Sequence, residues 1–403
     1  MIDFDVVICG GGMIGSAMAA RLARLGLSIA IIESQWPKEF SINQDFDLRV
    51  SAISPQSKYL LEQCGAWAVL KTMRLCSYQR MRVWELVGLG DLTFTATDVD
   101  SDTLGYIVEN RLLQLSIWHS LKQWPNVKII CPATPIQMNR LENRYWITLD
   151  NQRQLCAKLL IGADGSESVV RQSGGIGVYS SQYEQACLVA TVATEFGQQD
   201  ITWQRFTSTG PQAFLPLPGH YGSVVWYHQA ERIRQMASWS NQQLETAIRA
   251  AFPTELGSFS VLNKGHFRLK RQHAQSYIGD GLALIGDAAH MINPLAGQGV
   301  NLGFQDIDCL GRLIQAALQQ QRPWYEQQVL RQYSRQRRLT NGLMMTIMDF
   351  FYHTFSNQRT SLKWMRNGIL AGAAMPVVRR HVIRYAIGQT TAVQHLLNFL
   401  SSG

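Results

Sequence analysis

Gly10-Gly11-Gly12-Met13-Ile14-Gly15 is a GxGxxG run with an apolar segment before it and a helical pattern after it, and Glu33 stands 21 residues beyond Gly12. That pattern suits a dinucleotide. Gly10 permits a tight turn, Gly12 lets the backbone approach a pyrophosphate at a helix N-terminus, and Gly15 lets helix and strand pack closely. Glu33 is placed to accept hydrogen bonds from adenosine ribose hydroxyls. A second run points to the same ligand. Leu282 to Ile285 is an apolar strand ending in Gly286-Asp287, and Pro294-Leu295-Ala296-Gly297-Gln298-Gly299-Val300-Asn301 is a glycine-rich turn entering a helix. The first motif leaves NAD and FAD open. Two helix N-termini facing one ligand imply a long ligand, with Asp287 bonding a ribityl hydroxyl. The amides of the Gly297 to Asn301 turn would stabilise negative charge on a reduced flavin ring.

The elements that must position these residues follow from periodicity. Phe4 to Cys9 and Ile29 to Ile32 are short apolar strands flanking a helical stretch from Met13 to Leu25, a βαβ unit. Ser54-Pro55 starts a helix, residues 110 to 124 form another, and Val127 to Cys131, Tyr145 to Leu149 and Leu155 to Ile161 are strands. Alternation from about 74 to 103 and a β-rich stretch from about 178 to 272, with one helix near 241 to 251, precede helical periodicity from about 299. The expected class is α/β, α+β in part. A Rossmann-like FAD-binding domain (1–73, 104–177 and 273–335) is interrupted by a β-sheet substrate domain (74–103 and 178–272) and closed by a basic helical tail (336–403). Phe214, Leu215, Pro216 and Leu217, with Val225, Trp226 and Tyr227, are the candidate apolar wall over a substrate ring; ordinary sheet core is the alternative.

With 403 residues, 46% hydrophobic and 16% charged, disorder, collagen and coiled coil are excluded. Seven cysteines, an odd count without CxxC or a His at ligand spacing, argue against a disulfide framework, zinc or any other metal site, and suit a reducing compartment. No basic n-region opens the chain, and no apolar run approaches the ~18 to 20 residues of a membrane span. Charge is unevenly placed. Residues 1–330 carry 27 Lys and Arg against 28 Asp and Glu, whereas residues 331–403 carry 10 against the single Asp349. Arginines interleaved with Phe350, Phe351, Trp364 and Tyr385 suit an amphipathic surface for anionic lipid or an acidic partner, with a solvated basic helix equally open. No nucleic-acid motif is present, and no nucleic-acid partner is expected.

The sequence resembles the FAD-dependent aromatic-ring hydroxylases of the p-hydroxybenzoate hydroxylase type, and within them the ubiquinone-biosynthesis hydroxylases, over essentially the whole chain. Three motifs carry the resemblance: Gly10 to Gly15 with Glu33, Ile161-Gly162-Ala163-Asp164-Gly165-Ser166, and Ile285-Gly286-Asp287-Ala288-Ala289-His290. A signature His-Pro-x-x-Gly-Gln-Gly-x-Asn-x-Gly-x-x-Asp is matched from Pro294 to Asp306, with Asn293 in place of its His. That departure, with Leu48 to Ser54, Thr202 to Phe206 and Met291 to Gly299, looks most like the branch acting on 2-polyprenyl-3-methyl-6-methoxy-1,4-benzoquinol.

The resemblance implies tightly bound FAD, O2 as co-substrate, and NAD(P)H or another donor meeting the flavin transiently. Oxygen would pass from a flavin C4a-hydroperoxide to an electron-rich ring carbon, with position and dryness supplied by the protein. It implies that Arg49 and Arg111 contact flavin, that Asp164 lies near the pyrophosphate and the reductant groove, and that the Pro294 carbonyl faces the substrate hydroxyl. Pro294, Gly297, Gln298 and Gly299 are the expected catalytic turn. His290 is expected to hold its turn through a backbone hydrogen bond rather than act as a base. A polyprenyl substrate implies peripheral association with the inner face of the cytoplasmic membrane or with a biosynthetic complex. Three alternatives are a hydroxylase of another ring position in ubiquinone biosynthesis, a flavin-dependent prenyl-lipid reductase, which needs no oxygen, and a flavin-bearing assembly subunit.

Overall fold

A computed structural model describes residues 2–85, 91–292 and 299–355. Pro294, Gly297 and Gln298 of the expected catalytic turn, and the tail from 356 on, lie outside the described residues.

Strands Ile2–Cys9, Ile29–Ile32, Val127–Ile130, Gln154–Gly162 and Leu282–Leu284 form a parallel sheet. Ile29, Ala30, Ile31 and Ile32 are all buried, as a strand covered on both faces requires, which is why the run has no polar alternation. Helix Met13–Ala23 makes the first crossover, and its Ala17, Met18, Ala19, Ala20 and Leu22 enter the core cluster shared with these strands. The hairpin Pro135–Leu141 and Arg144–Leu149 extends the sheet antiparallel; its first strand carries no strong apolar pattern and was not expected. Ser54 caps helix Pro55–Gln63 by accepting from the Ser57 amide, with Pro55 at the first turn, as its sequence predicts.

The second sheet has eight strands, in the order His290–Met291, Phe259–Ala274, Val178–Thr194, Tyr221–Gln229, Gly210–Pro216, Ile201–Thr207, Arg80–Glu85 and Asp91–Thr95. One face packs on helices Ala230–Ala237 and Asn241–Ala251, the latter opened by a Ser240/Gln243 capping box. Short stretches of chain join the two sheets: Phe259–Ala274 of the second is followed by Ile278–Gly279, which pairs with Leu282–Leu284 of the first. Leu282–Leu284 pairs in the parallel sheet, and His290–Met291, six residues later, pairs with Gln272 and His273 of the second, which is antiparallel except between Ile201–Thr207 and Arg80–Glu85. Gly286-Asp287 therefore stands at the seam. Helices Gly299–Gln319 and Gln327–Phe355 pack beside it.

Candidate active site

The glycine turn sits at the C-terminal end of Ile2–Cys9, where a parallel sheet opens toward a ligand. Gly10 has φ of +100°, and a Cβ there would lie 2.3 Å from the Ala163 carbonyl oxygen. A Cβ at Gly15 would lie 1.9 Å from the Gly10 carbonyl oxygen, so helix and turn touch only because no side chain intervenes. Gly12 differs: among the described residues nothing lies within 4 Å of a Cβ there. The helix it opens has no side-chain cap and no acidic residue in its first turn. Its leading amides and positive dipole end face a space that a diphosphate fits.

Glu33 accepts from the Gly11 amide at 2.7 Å through one carboxylate oxygen, and from Ser34 Oγ and the Gln35 amide through the other. It thus ties the glycine turn to the tip of the neighbouring strand. The Gly11 carbonyl accepts from Ser16 Oγ, Gln114 Nε2 and Trp118 Nε1 at 2.9, 2.9 and 2.7 Å. Gln114 and Trp118, four residues apart on helix Asn110–Leu121, were not singled out by sequence reasoning, since nothing local in that helix marks them.

Asp164 directs its carboxylate inward. It accepts from Ser168 Oγ at 2.5 Å and the Val170 amide at 3.1 Å, fixing the turn whose Ala163 abuts Gly10. Burial raises its pKa and these hydrogen bonds oppose the rise. Asp287 behaves otherwise. Its side chain is exposed, it has no hydrogen-bond partner among the described residues, and yet surrounding protein raises its pKa against the pull of His290 and Arg49. A carboxylate at a strand end, open to a crowded cleft and unpartnered, fits a ribityl hydroxyl.

Gly286, at φ +58°, donates its amide to Asp306 Oδ2 at 3.0 Å. The same oxygen is 2.6 Å from His290 Nε2, while Oδ1 accepts from Arg337 Nε at 2.6 Å. Asp306 is fully buried; burial alone would raise its pKa, but His290 and Arg337 hold it at about 2. His290 thus holds its turn through a carboxylate, where a backbone partner was expected. The reason is the helix Gly299–Gln319, which carries Asp306 under the turn. Arg337 also reaches the Leu302 carbonyl and Asn341 Oδ1, so the last described helix is keyed into the cofactor turn.

Arg49 is exposed, with its guanidinium carbon 4.7 Å from the centroid of the Phe267 ring, and its charge is felt at Asp287. Arg111 pairs with Asp47 at 2.9 Å and donates to the Lys38 carbonyl at 2.6 Å, holding the 38–47 stretch. Asn301 is buried and uses its amide on protein, donating to the Ala52 carbonyl and accepting from the Ser54 amide and Ser57 Oγ. Gly299 opens its helix, and among the described residues nothing lies within 4 Å of a Cβ there.

The expected substrate wall divides by strand alternation. Phe214 and Trp226 turn into the core against helices Ala230–Ala237 and Asn241–Ala251, the sheet-core alternative for these two residues. Leu215 and Leu217 join the cluster with Ala52, Leu92 and Phe94, and Tyr227 joins Cys187, Val189 and Leu269. Pro216 is buried at the strand end. Val225, only partly buried, packs against both clusters, with Phe267 beside the second. Phe267 was not foreseen.

Residues 143–346 match the family described as FAD binding domain. The chain is 41% identical over 385 residues to 3-demethoxyubiquinol 3-hydroxylase of Escherichia coli (strain K12), covering 95% of this chain and 98% of that protein. It is 31% identical over 433 residues to the mitochondrial ubiquinone biosynthesis monooxygenase COQ6 of Danio rerio, covering 95% and 89%. Its fold is similar to that of p-nitrophenol 4-monooxygenase PnpA from Pseudomonas putida DLL-E4, with a TM-score of 0.77 at 17% identity over 96% of this chain and 99% of that one. With the glycine turn, the exposed strand-end carboxylate and the uncapped N-terminus of helix Met13–Ala23, the chain belongs to the FAD-dependent monooxygenases, in the family of ubiquinone-biosynthesis hydroxylases.

Proposed function

We propose that the enzyme hydroxylates the benzoquinol ring of a polyprenylated ubiquinone precursor, 2-polyprenyl-3-methyl-6-methoxy-1,4-benzoquinol, using O2. The observation that carries the reading is the 41% identity to the E. coli 3-demethoxyubiquinol 3-hydroxylase along nearly the full length of both chains. FAD, when bound, supplies the oxygen-activating chemistry, refilled by NAD(P)H or another donor. The chain's part is binding, orientation and dryness. The parallel-sheet unit holds the cofactor: the Gly12 turn and its helix amides take the diphosphate, Glu33 the ribose side, and Asp287 a ribityl hydroxyl. Arg49 and the Gly299 amide face the ring system, followed in the sequence by Asn301, which secures that helix. The antiparallel sheet covers the substrate with Leu215, Leu217, Val225, Tyr227 and Phe267, an apolar face that excludes water from the reacting carbon. Pro294, Gly297 and Gln298 complete the turn in this reading. The substrate's prenyl tail places the enzyme at the cytoplasmic membrane surface or in a biosynthetic assembly.

The test is expression in cells blocked at individual ring hydroxylations, with mass spectrometry of the accumulated quinols. Disappearance of the 2-polyprenyl-3-methyl-6-methoxy intermediate alone supports the reading. Clearance of a different precursor instead replaces the ring position, the second reading that the COQ6 similarity favours.

A further inference from the structure

A groove of about 610 Å³ runs beside the first half of helix Gln327–Phe355, with His273 and Ile278 on one side and Arg331, Arg335, Arg338 and Leu339 on the other. The three arginines, at i, i+4 and i+7, share one helix face and are exposed. None has an ion pair or hydrogen bond among the described residues, whereas Arg337 between them points inward to Asp306. No carboxylate on this helix answers them. Its one acidic residue, Asp349, is already engaged by Tyr183 and Arg271. Leu339 is 64% exposed beside Arg338, and Leu343 and Ile347, at successive turns, are only half-buried.

A row of uncompensated guanidiniums leading into an apolar stripe is the complement of a bilayer interface, where headgroup phosphates lie above acyl chains. Arginine stems can lie along the apolar boundary while their heads meet phosphate. We propose that this helix face docks the enzyme on anionic phospholipid, with Arg331, Arg335 and Arg338 on headgroups and Leu339 entering the acyl boundary. The inference rests on the proposed prenyl-lipid substrate for its purpose, and on the helix face for its location.

Flotation of the FAD-loaded full chain with phosphatidylcholine vesicles, with and without about one-third phosphatidylglycerol, tests it. The chain should bind the anionic vesicles and not the neutral ones, and lose binding as salt rises. Combined R331E/R335E/R338E should lower partitioning roughly a hundredfold, and R331Q/R335Q/R338Q less. Leu339→Asn should weaken binding without changing its salt dependence. All variants should keep the flavin spectrum and turn over a short-chain, water-soluble quinol like the unaltered chain. Failure of the unaltered chain on that quinol would count against the proposed substrate and leave the vesicle result readable. Equal binding by the charge-reversed chain, equal binding to neutral vesicles, or burial of this face in a dimer or under residues 356–403 would overturn the docking surface.

Discussion

A single methyl group separates two kinds of glycine in the turn after Cys9. At Gly15 it would collide with the Gly10 carbonyl 1.9 Å away; at Gly12 it meets no atom of the described residues within 4 Å, and the backbone there, at φ −65°, accepts any L-residue. Gly12→Ala should therefore leave the apoprotein's melting temperature nearly unchanged, within about 0.5 kcal/mol, yet weaken FAD binding about tenfold or more. Gly15→Ala should cost about 1–3 kcal/mol even without flavin. Thermal melts of the apoproteins beside flavin-fluorescence titrations check both; equal destabilisation would refute the distinction. The glycines and Glu33 were legible because local spacing encodes them. Gln114 and Trp118 were not, since they meet Gly11 across 103 and 107 residues of sequence.

Helix-level order at the cofactor turn depends on Asp306, which links helix Gly299–Gln319 to the Gly286 amide, His290 and Arg337. Arg337→Met leaves the carboxylate buried with half its compensation, and should cost about 3–5 kcal/mol and weaken flavin binding in parallel. Urea midpoints and flavin titration would measure this. The pH dependence has a definite sign. Asp306 titrates at about 2 when folded against 3.8 ordinarily, so its contribution is complete above about pH 4 and is lost as pH falls through 2. His273, behind the same turn, is depressed to about 4 by burial, then by His290, Arg338 and Arg271. Its neutral form favours the fold, so that contribution is complete above 6.5 and lost as pH falls toward 4. His273→Gln should flatten the urea midpoint between pH 6.5 and 4 while leaving the decline below 4; an unaltered profile would exclude His273 as its source. Asp306 was visible as the last letter of a motif. Its partners were not, because a helix register says which face a residue occupies, not which charge lies beneath.

Across the whole molecule, uninterrupted apolar runs made the parallel sheet legible and alternation the β-rich region, because each element's burial leaves its own pattern. What alternation along one strand cannot say is which face of the second sheet the helices cover, and adjacent residues answer oppositely. Trp226, 7% exposed, closes one face against two helices, while Val225 packs between two clusters of the other face and stays partly open. The pair therefore separates structure from function. Trp226→Leu should leave a cavity beside Phe252 and cost about 2–3 kcal/mol, with the KM for the quinol unchanged. Val225→Phe adds bulk where the ring and the water-excluding contact are proposed to be. Its melting temperature should hold while KM rises several-fold and more donor is oxidised per hydroxylated product. Melting curves and donor-to-product ratios on both variants decide the matter: if Trp226→Leu uncouples turnover and Val225→Phe only destabilises, the substrate lies on the opposite face and the proposed site must be turned over.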